Sequence, residues 1–408
     1  MIVRQYIKDF EKMGLGMFVH FGIYSILGKG EWVRHHYPEY QDTYEDLAKE
    51  FCPDPQWAVN LVAAAKEAGC KYITITTRHH DGYSLYDTCG LNDYDAPHSC
   101  GRDLIREFVD ACNAQGIIPF FYHTLIDWYA PDYPDNWQGY LQYLLKSVEL
   151  LCKNYGKIGG IWFDGYWAHP ADWWPEDELY GLIRSYQPEA MIINNTGLER
   201  RGELGHIELD SVTFERGKPQ PLNMDGAPKY LASEMCEVMA AHWGYAAMDL
   251  DYKAPAYLIE ELAECRRHGA NMLQNVGPMP DGNLRPIDRC YLEILGKWVE
   301  IYGESIRAPR PSGIPVESDA NNFLLRDGNT LYLFALGMGY EGSVYVALQR
   351  EYTYRNSFCL KEKIVDAVWM NDGSPVEFTQ NGEQVQMMSK PFRYGETHVV
   401  RVAKITCG

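Results

Sequence analysis

The chain has 408 residues, of which 46% are hydrophobic and 23% are charged, so it can form a large domain and a smaller second one. Its formal net charge is −19, which argues against nucleic acid and anionic membrane surfaces as partners, because both attract clustered Lys and Arg. No apolar run could span a bilayer and residues 1–13 carry no apolar signal region, so the sequence predicts a soluble, cytoplasmic protein whose oligomeric state is unknown.

Residues 15 to about 305 alternate between short apolar runs and amphipathic segments that end near Gly or Pro. The candidate strands are Met17–His20, Tyr72–Thr76, Ile117–His123, Gly160–Asp164, Met191–Asn194, Ser211–Phe214, Tyr230–Glu234 and Asn271–Val276. The candidate helices are Pro55–Ala68, Asp103–Gln115, Trp137–Tyr155, Asp177–Tyr186, residues 258–268 and Asp288–Ile301. About eight strands that alternate with helices predict a (β/α)8 (TIM) barrel. Residues 196–248 fit this pattern least well.

Residues 307–313 (RAPRPSG) are rich in Pro and basic residues, which is typical of a linker. Beyond them the hydrophobic pattern changes to period two, as in antiparallel strands. The candidate strands are Asn322–Arg326, Thr330–Leu336, Ser343–Leu348, Ile364–Trp369, Val376–Thr379, Gln384–Met387 and His398–Ala403. The sequence therefore predicts a catalytic barrel in residues 1–306 and a small β-sandwich in residues 313–408.

The aromatic and cysteine contents give weaker indications. There are 30 Tyr, 14 Phe and 11 Trp residues, and aromatic rings both stack on sugars and fill protein cores, so carbohydrate binding is one of two interpretations. The 11 cysteines are odd in number and form no CxxC pair, which favours buried free thiols over disulfides.

Chemically useful side chains stand at the ends of three candidate strands. Asp164 follows the run Ile161–Phe163, His79 and His80 follow the second strand, and His20 ends the first. In a (β/α)8 barrel the C-terminal ends of the strands surround the active site, so these groups are expected in one place. The competing interpretations are an Asp that caps a helix and histidines that satisfy the core.

The histidines admit two further interpretations. Neutral imidazoles exchange hydrogen bonds with sugar hydroxyls, whereas His-His-Asp does not have the spacing of a zincin metal site. Glu31-Trp32, in the Gly-rich loop after the first strand, offers a carboxylate and a ring to the same site. No GxSxG, Walker loop or GxGxxG follows a strand, so serine-hydrolase and nucleotide-binding classes are not supported.

Four motifs in order resemble the α-L-fucosidases of glycoside hydrolase family 29 and cover about residues 10 to 305. They are GMFVHFGIYS at residues 16–25 with Gly30-Glu31-Trp32, then His79-His80-Asp81-Gly82-Tyr83, then Trp162-Phe163-Asp164-Gly165, then NMLQNVGP at residues 271–278 with Asp281-Gly282. The resemblance implies an exo-acting, retaining hydrolase of terminal α-L-fucosides that needs no metal or other cofactor. Its partners would be fucosylated oligosaccharides or glycoconjugates.

The resemblance also implies site residues. Asp164 falls on the nucleophile of the family. The substrate-binding residues that it implies, together with those suggested by their strand ends, are His20, Glu31, Trp32, His79, His80, Tyr122, Trp162, Glu234 and Trp243.

The general acid/base is the least transferable residue of the family. Thr213-Phe214-Glu215 resembles its Thr-Pro-Glu segment with Phe in place of Pro, which favours Glu215. Glu234 is the alternative, in a segment that resembles Trp-Glu-Thr-Cys but lacks the Trp. Because these departures cluster around the acid/base, two other classes stay open: a non-catalytic fucose-binding protein and a metal-dependent hydrolase.

Overall fold

A computed structural model describes residues 1–195, 205–222, 224–318, 320–342 and 354–408. Within these residues no helix is both long and apolar enough to cross a bilayer. All 11 cysteines lie in the described part of the chain, and none is joined to another by a disulfide.

Eight parallel strands close into a barrel in chain order, with the last strand paired to the first. They are β1 Leu15–Val19, β2 Tyr72–Arg78, β3 Ile118–Thr124, β4 Gly160–Asp164, β5 Met191–Asn194, β6 Ser211–Glu215, β7 Ala232–Glu237 and β8 Asn271–Val276. The predicted barrel is confirmed, and β4, β5 and β8 have the predicted bounds. The largest difference is in β7, predicted as Tyr230–Glu234, which begins two residues later and continues to Glu237.

Nine α-helices are found in the described ranges, most of them around the barrel. They are α1 Gln5–Glu11, α2 Val33–His36, α3 Trp57–Glu67, α4 Ala96–Cys100, α5 Leu104–Gln115, α6 Trp137–Asn154, α7 Glu176–Tyr186, α8 Pro255–Arg267 and α9 Pro286–Arg307. The sequence sets the ends of α5: the Asp103 carboxylate accepts a hydrogen bond from the Arg106 backbone N–H at 2.9 Å, and Gly116 ends the helix at φ 71°.

Aromatic side chains fill the lower part of the barrel. Phe18, Tyr72, Phe120 and Trp162 pack together from four strands, with Phe10 of α1 beneath them. Gly16 of β1 allows this packing, because a Cβ atom there would lie 2.4 Å from the ring of Tyr72. These rings fill the barrel interior around and below Trp162.

The C-terminal part forms two antiparallel sheets, as predicted. Its strands are β9 Arg310–Pro311, β10 Phe323–Asp327, β11 Thr330–Ala335, β12 Tyr354–Cys359, β13 Ile364–Trp369, β14 Glu377–Asn381, β15 Gln384–Ser389 and β16 Arg401–Cys407. One sheet has the order β13-β16-β11-β10-β9 and the other the order β12-β15-β14. A cluster that includes Leu333, Phe358, Trp369 and Met387 packs between the two sheets.

One predicted strand is not comparable, and two observed strands were not predicted: β9, which lies in the predicted linker, and β12. Ser343–Leu348 lies outside the described residues. The strand β12 (YRNSFC) is polar and has no clear alternation, because Asn356 is buried in it. The Asn356 amide donates to Ser389 Oγ at 2.9 Å and to the Met387 carbonyl at 3.2 Å, so partners distant in sequence allow a polar residue in the core.

The two parts of the chain meet through α9, which ends at Arg307 beside the predicted linker. The other face of the five-stranded sheet packs against this helix, and one hydrophobic cluster contains Trp298 of α9 together with Phe334 and Val402 of the sheet. The Trp298 indole N–H donates to the Val400 carbonyl at 2.9 Å. The apolar core thus crosses the predicted boundary at 307–313, and whether the parts fold separately stays a prediction.

Candidate active site

A cavity opens at the C-terminal end of the barrel strands. Its lining residues are Phe18, His20, Trp32, His79, His80, Tyr122, Trp162, Asp164, Trp167, Asn195, Glu215, Cys236 and Trp243. Nine of the eleven residues predicted for the site are in this lining; Glu31 and Glu234 are not.

Asp164 is the last residue of β4 and is surrounded by hydrogen-bond donors. The Tyr122 hydroxyl donates to Oδ2 at 3.0 Å, and the Trp167 indole donates to Oδ1 at 3.2 Å. His80 Nε2 lies 3.5 Å from Oδ2. Burial raises the pKa of this carboxyl, but the hydrogen bonds and the charge of His80 outweigh it, and the pKa is lowered from its usual 3.8. Asp164 is therefore held as a carboxylate.

His80 is oriented by Thr124 at the end of β3. The Thr124 hydroxyl donates its single proton to the Ile126 carbonyl at 2.6 Å. Its oxygen therefore accepts at 2.7 Å from His80 Nδ1, which carries a proton. Nε2 of the same ring faces Asp164 Oδ2 at 3.5 Å.

Asn195 connects the two candidate catalytic carboxylates. Its Oδ1 accepts from the Thr213 hydroxyl at 3.0 Å, which directs the NH2 group into the cavity. This NH2 group donates to Asp164 Oδ1 at 3.3 Å and to Glu215 Oε2 at 2.7 Å. Since both oxygens are bonded to one nitrogen, they are at most about 6 Å apart, below the ~6.5–9.5 Å carboxyl separation of inverting glycosidases.

The environment of Glu215, the last residue of β6, favours its protonated form. Burial, followed by the negative charge of Asp164, raises its pKa to about 7. Arg216 opposes this shift only weakly: it has a left-handed backbone conformation, φ 46°, and its guanidinium stacks 5.1 Å from the ring centroid of Trp243 while donating to the Ala241 carbonyl. Below about pH 7 the cavity thus holds one ionised and one protonated carboxyl group side by side.

His20 presents a hydrogen-bond acceptor to the cavity. The Asn275 side-chain NH2 donates to the Trp243 carbonyl at 2.7 Å, so its Oδ1 accepts from His20 Nδ1 at 2.7 Å. Burial lowers the pKa of His20 to about 3. The ring is therefore neutral, protonated on Nδ1, and its Nε2 is left as an acceptor.

His79 lies between His20 and His80 and stacks on Tyr122, with ring centroids 5.6 Å apart and planes at 10°. Burial, followed by the charges of His80 and His20, lowers the pKa of His79 well below its usual value. It is a neutral, polar member of the cavity wall.

Glu234 and Glu31 are placed differently from the prediction. Glu234 lies under the floor of the cavity, where it accepts hydrogen bonds from the Tyr72 hydroxyl and from the Trp162 indole at 3.1 Å. Its two oxygens are occupied within the barrel, so this geometry does not support direct contact with substrate. Glu31 is also buried, and its Oε2 accepts from the Gly244 backbone N–H at 2.7 Å. It supports the loop that carries Trp243.

Comparison with known proteins identifies the family of the chain. The sequence profile of the alpha-L-fucosidase family matches residues 2–304. The chain belongs to the α-L-fucosidase family. It is a glycoside hydrolase, as the four ordered motifs predicted.

Individual relatives give the degree of similarity. The chain is 30% identical to the tissue alpha-L-fucosidase of Mus musculus over 347 residues, which cover 76% of this chain and 73% of the mouse protein. The structure resembles alpha-L-fucosidase isoenzyme 1 from Paenibacillus thiaminolyticus with a TM-score of 0.81, 29% identity and 99% coverage of both chains. A GH29 alpha-L-fucosidase from Bacteroides thetaiotaomicron, trapped as a covalent intermediate with 2-fluoro-fucosyl fluoride, shares the fold: TM-score 0.82, 21% identity, and 99% and 96% coverage.

Five side chains of the cavity region are outside the eleven predicted site residues: Phe18, Thr124, Trp167, Asn195 and Cys236. Asn195 directly follows β5, and a polar residue at a strand end was the signal that could have revealed it. Trp167 lies three residues after Asp164, in a short 3-10 helix, and Cys236 is paired in register with Glu215 across β6 and β7. In the described ranges no group of three His, Cys, Asp or Glu side chains is arranged to hold a metal ion.

Proposed function

We propose that the chain hydrolyses terminal α-L-fucosides with retention of configuration, using Asp164 as the nucleophile and Glu215 as the general acid and base. The observation that carries this proposal is the shared donor Asn195, which keeps the two carboxyl groups close together while their pKa values shift in opposite directions. Retaining glycosidases need such a pair, about 5–5.5 Å apart, with one group ionised and one protonated.

In the first step Asp164 attacks C1 of the fucosyl group and forms an ester bond. The bond from C1 to the leaving oxygen breaks, and Glu215 transfers its proton to that oxygen. In the second step Glu215, now ionised, removes a proton from water. The water oxygen attacks C1 from the face that the leaving group vacated, and the ester breaks to release Asp164 and α-L-fucose.

The rest of the cavity fits a deoxy sugar. Nε2 of His20 accepts a hydrogen bond from a hydroxyl group, and His79 and His80 add polar edges on the same wall. Phe18, Trp162 and Trp243 supply apolar surface, which suits the methyl group that fucose carries in place of a hydroxymethyl group.

The alternative of a non-catalytic fucose-binding protein has less support. A pure binding site gains nothing from a glutamic acid whose pKa is about 7 beside a carboxylate whose pKa is lowered. The departures from the family motifs at Phe214 and Ser233 leave both carboxyl groups in place.

The test is hydrolysis of 4-nitrophenyl α-L-fucoside followed by proton NMR in the first minutes. We expect α-L-fucose to form first and to convert slowly to the β-anomer. A 2-fluoro-fucosyl fluoride should add one fluorofucosyl mass to the peptide that contains Asp164. Initial release of β-L-fucose would contradict retention, and fucose binding without turnover would favour the binding protein. Loss of activity with a chelator, restored by metal, would favour a metal-dependent hydrolase.

A further inference from the structure

A second depression joins the catalytic cavity and shares Trp32 and Trp243 with it. This groove has a volume of about 390 Å³ and is open to solvent. Its other lining residues are Lys29, Glu31, Val33, His36, Tyr37, Arg216, Ala241 and His242. The volume is in the range of small-molecule sites, roughly 300–1,000 Å³, and is sufficient for at least one further sugar.

The groove has a basic lining in a protein of formal charge −19. Lys29 holds its ammonium 4.7 Å from the ring centroid of Tyr37, and Arg216 holds its guanidinium over Trp243. Within the described residues neither cation forms an ion pair. Aromatic rings fix both groups without neutralising them.

Negative charge in the groove is already hydrogen-bonded. Glu31, the single acidic residue among the lining side chains described, is buried and accepts the Gly244 N–H. Asp249, which lies behind the groove, accepts from His242 Nδ1 at 2.8 Å and from the backbone N–H groups of Ala241 and His242. The exposed charges that a ligand would meet are therefore those of Lys29 and Arg216.

The groove lies on the side of the cavity from which the leaving group departs. Arg216 directly follows Glu215, which in the proposed mechanism must reach the leaving oxygen, and Trp243 walls both spaces. A different depression, lined by Arg34, His35, Gln41 and Trp128, lies beside His80 on the nucleophile side. A leaving group bonded through an oxygen close to Glu215 is thus directed toward Arg216.

We propose that this groove binds the sugar to which fucose is attached and prefers sugars that carry an anionic group, such as a sulfate ester or a carboxylate. Lys29 and Arg216 are the residues that contact this group. The inference rests on the proposed function, because it uses Glu215 to define the leaving-group side. It adds a charge preference that the fucose-binding cavity does not determine.

The experiment compares fucosyl-N-acetylglucosamine with its 6-O-sulfate, using the linkage that the enzyme cleaves fastest, in buffers of low and high salt. We expect kcat/KM to be on the order of 10-fold higher for the sulfated glycoside at low ionic strength and the difference to shrink in 0.5 M NaCl. The ratio should fall to within about twofold of unity in the Lys29→Gln, Arg216→Gln double variant.

Lys218→Gln is the matched control. Lys218 is an exposed cation in the same loop, but it interacts electrostatically with Glu261 and Glu264 rather than lining the groove, so its removal should leave the ratio unchanged. Calorimetric binding of both glycosides to Asp164→Asn supplies a second readout that does not need turnover.

The outcomes separate the two proposals. If 4-nitrophenyl α-L-fucoside is not hydrolysed, the proposed function fails. If it is hydrolysed while the sulfated and neutral glycosides are equivalent in both turnover and binding, only the charge preference fails. Equal loss of the preference in the Lys218 variant would show a general effect of net charge. That result would also overturn the proposed charge preference of the groove.

Discussion

The carboxylates of Asp164 and Glu215 accept hydrogen bonds from the same nitrogen atom, the side-chain amide of Asn195, at 3.3 and 2.7 Å. A neutral NH2 group satisfies one oxygen of each acid without supplying the positive charge that would ionise both. The negative charge of Asp164 therefore still acts on Glu215 and contributes to its raised pKa. The shared hydrogen-bond donor thus holds the two acids close together, and their closeness favours the protonated form of Glu215.

Removal of the proposed nucleophile should abolish turnover and allow chemical rescue. Asp164→Ala is expected to fold and to lose nearly all activity, because no other carboxylate in the described cavity has the same position relative to Glu215. Azide enters the space that the carboxylate leaves and should restore part of the rate on 4-nitrophenyl fucoside, with a β-fucosyl azide as product. Asp172→Ala, at an exposed residue of the following loop, is the control. Activity near that of the control would contradict the assignment.

The two glutamates should differ in their dependence on the leaving group. Glu215→Ala is expected to retain much of the activity on aryl fucosides with good leaving groups. It should lose activity on natural glycosides, because their leaving oxygen needs a proton. Glu234→Ala leaves the Tyr72 hydroxyl and the Trp162 indole without their acceptor, so it should lower the melting temperature and slow both substrate classes alike. The reverse pattern would exchange the two roles. Kinetics with 2,4-dinitrophenyl and disaccharide substrates measure the difference.

The pH profile should follow the two shifted carboxyls. Activity requires protonated Glu215, whose pKa is about 7, so kcat/KM should fall tenfold per pH unit above about pH 7. On the acid side the lowered pKa of Asp164 should keep the enzyme active below the range of an ordinary aspartate. In Glu215→Gln the basic limb should disappear for activated substrates. A basic limb that survives this substitution would belong to another group.

Stability should change in the same pH window and must be measured beside activity. Burial raises the pKa of both Glu215 and Glu234 to about 7 from an ordinary 4.5. Folding thus favours their protonated forms, so this contribution is complete below about pH 4.5 and is lost as the pH rises through 7. Melting temperatures across the range separate loss of fold from loss of the catalytic proton.

Thr124 should act on the reaction through His80. Thr124→Val removes the acceptor of His80 Nδ1, and the loss of one hydrogen bond, about 1 kcal/mol, corresponds to roughly a fivefold fall in kcat/KM. The acid limb of the pH profile should move to higher pH, because His80 stabilises ionised Asp164 less well. Thr124→Ser keeps the hydroxyl and should restore both properties. A lower melting temperature with an unchanged acid limb would indicate a purely structural role.

The contact between α9 and the five-stranded sheet should couple the two parts of the chain. Trp298→Ala leaves a cavity in their shared core and should destabilise the fold by about 3–5 kcal/mol, with one thermal transition for the whole chain. Tyr394→Ala, at a side chain that is 79% exposed, is the control and should have little effect. Two separate thermal transitions, of which only one has a changed melting temperature in the Trp298→Ala variant, would favour independent folding. Proteolysis near 307–313 should then release separate fragments rather than a nicked complex.

The sequence predicted best what depends on neighbouring residues along the chain. The bounds of β4, β5 and β8 were predicted residue by residue, and β4 and β5 are each an apolar run with a polar end. The predicted β7 ended at Glu234, because a charged residue usually marks the end of a buried strand. The residue is buried inside the strand because its partners, Tyr72 and Trp162, come from β2 and β4. Asn195 was missed for the same reason: its importance lies in the distance between two acids from other strands. Contacts between distant strands cannot be inferred from local patterns.

The hydrogen bonds from His20 to Asn275 and from Asn275 to the Trp243 carbonyl connect the wall of the catalytic cavity with the wall of the groove. In the proposed complex, one end of this hydrogen-bonded chain faces the fucosyl ring, and the other belongs to the loop that lines the groove proposed for the second sugar. A leaving group that displaces this loop pulls on the amide that fixes the imidazole tautomer. The identity of the second sugar should therefore affect the affinity for the fucosyl group. Mutations at Asn275 should weaken the selectivity for both sugars together.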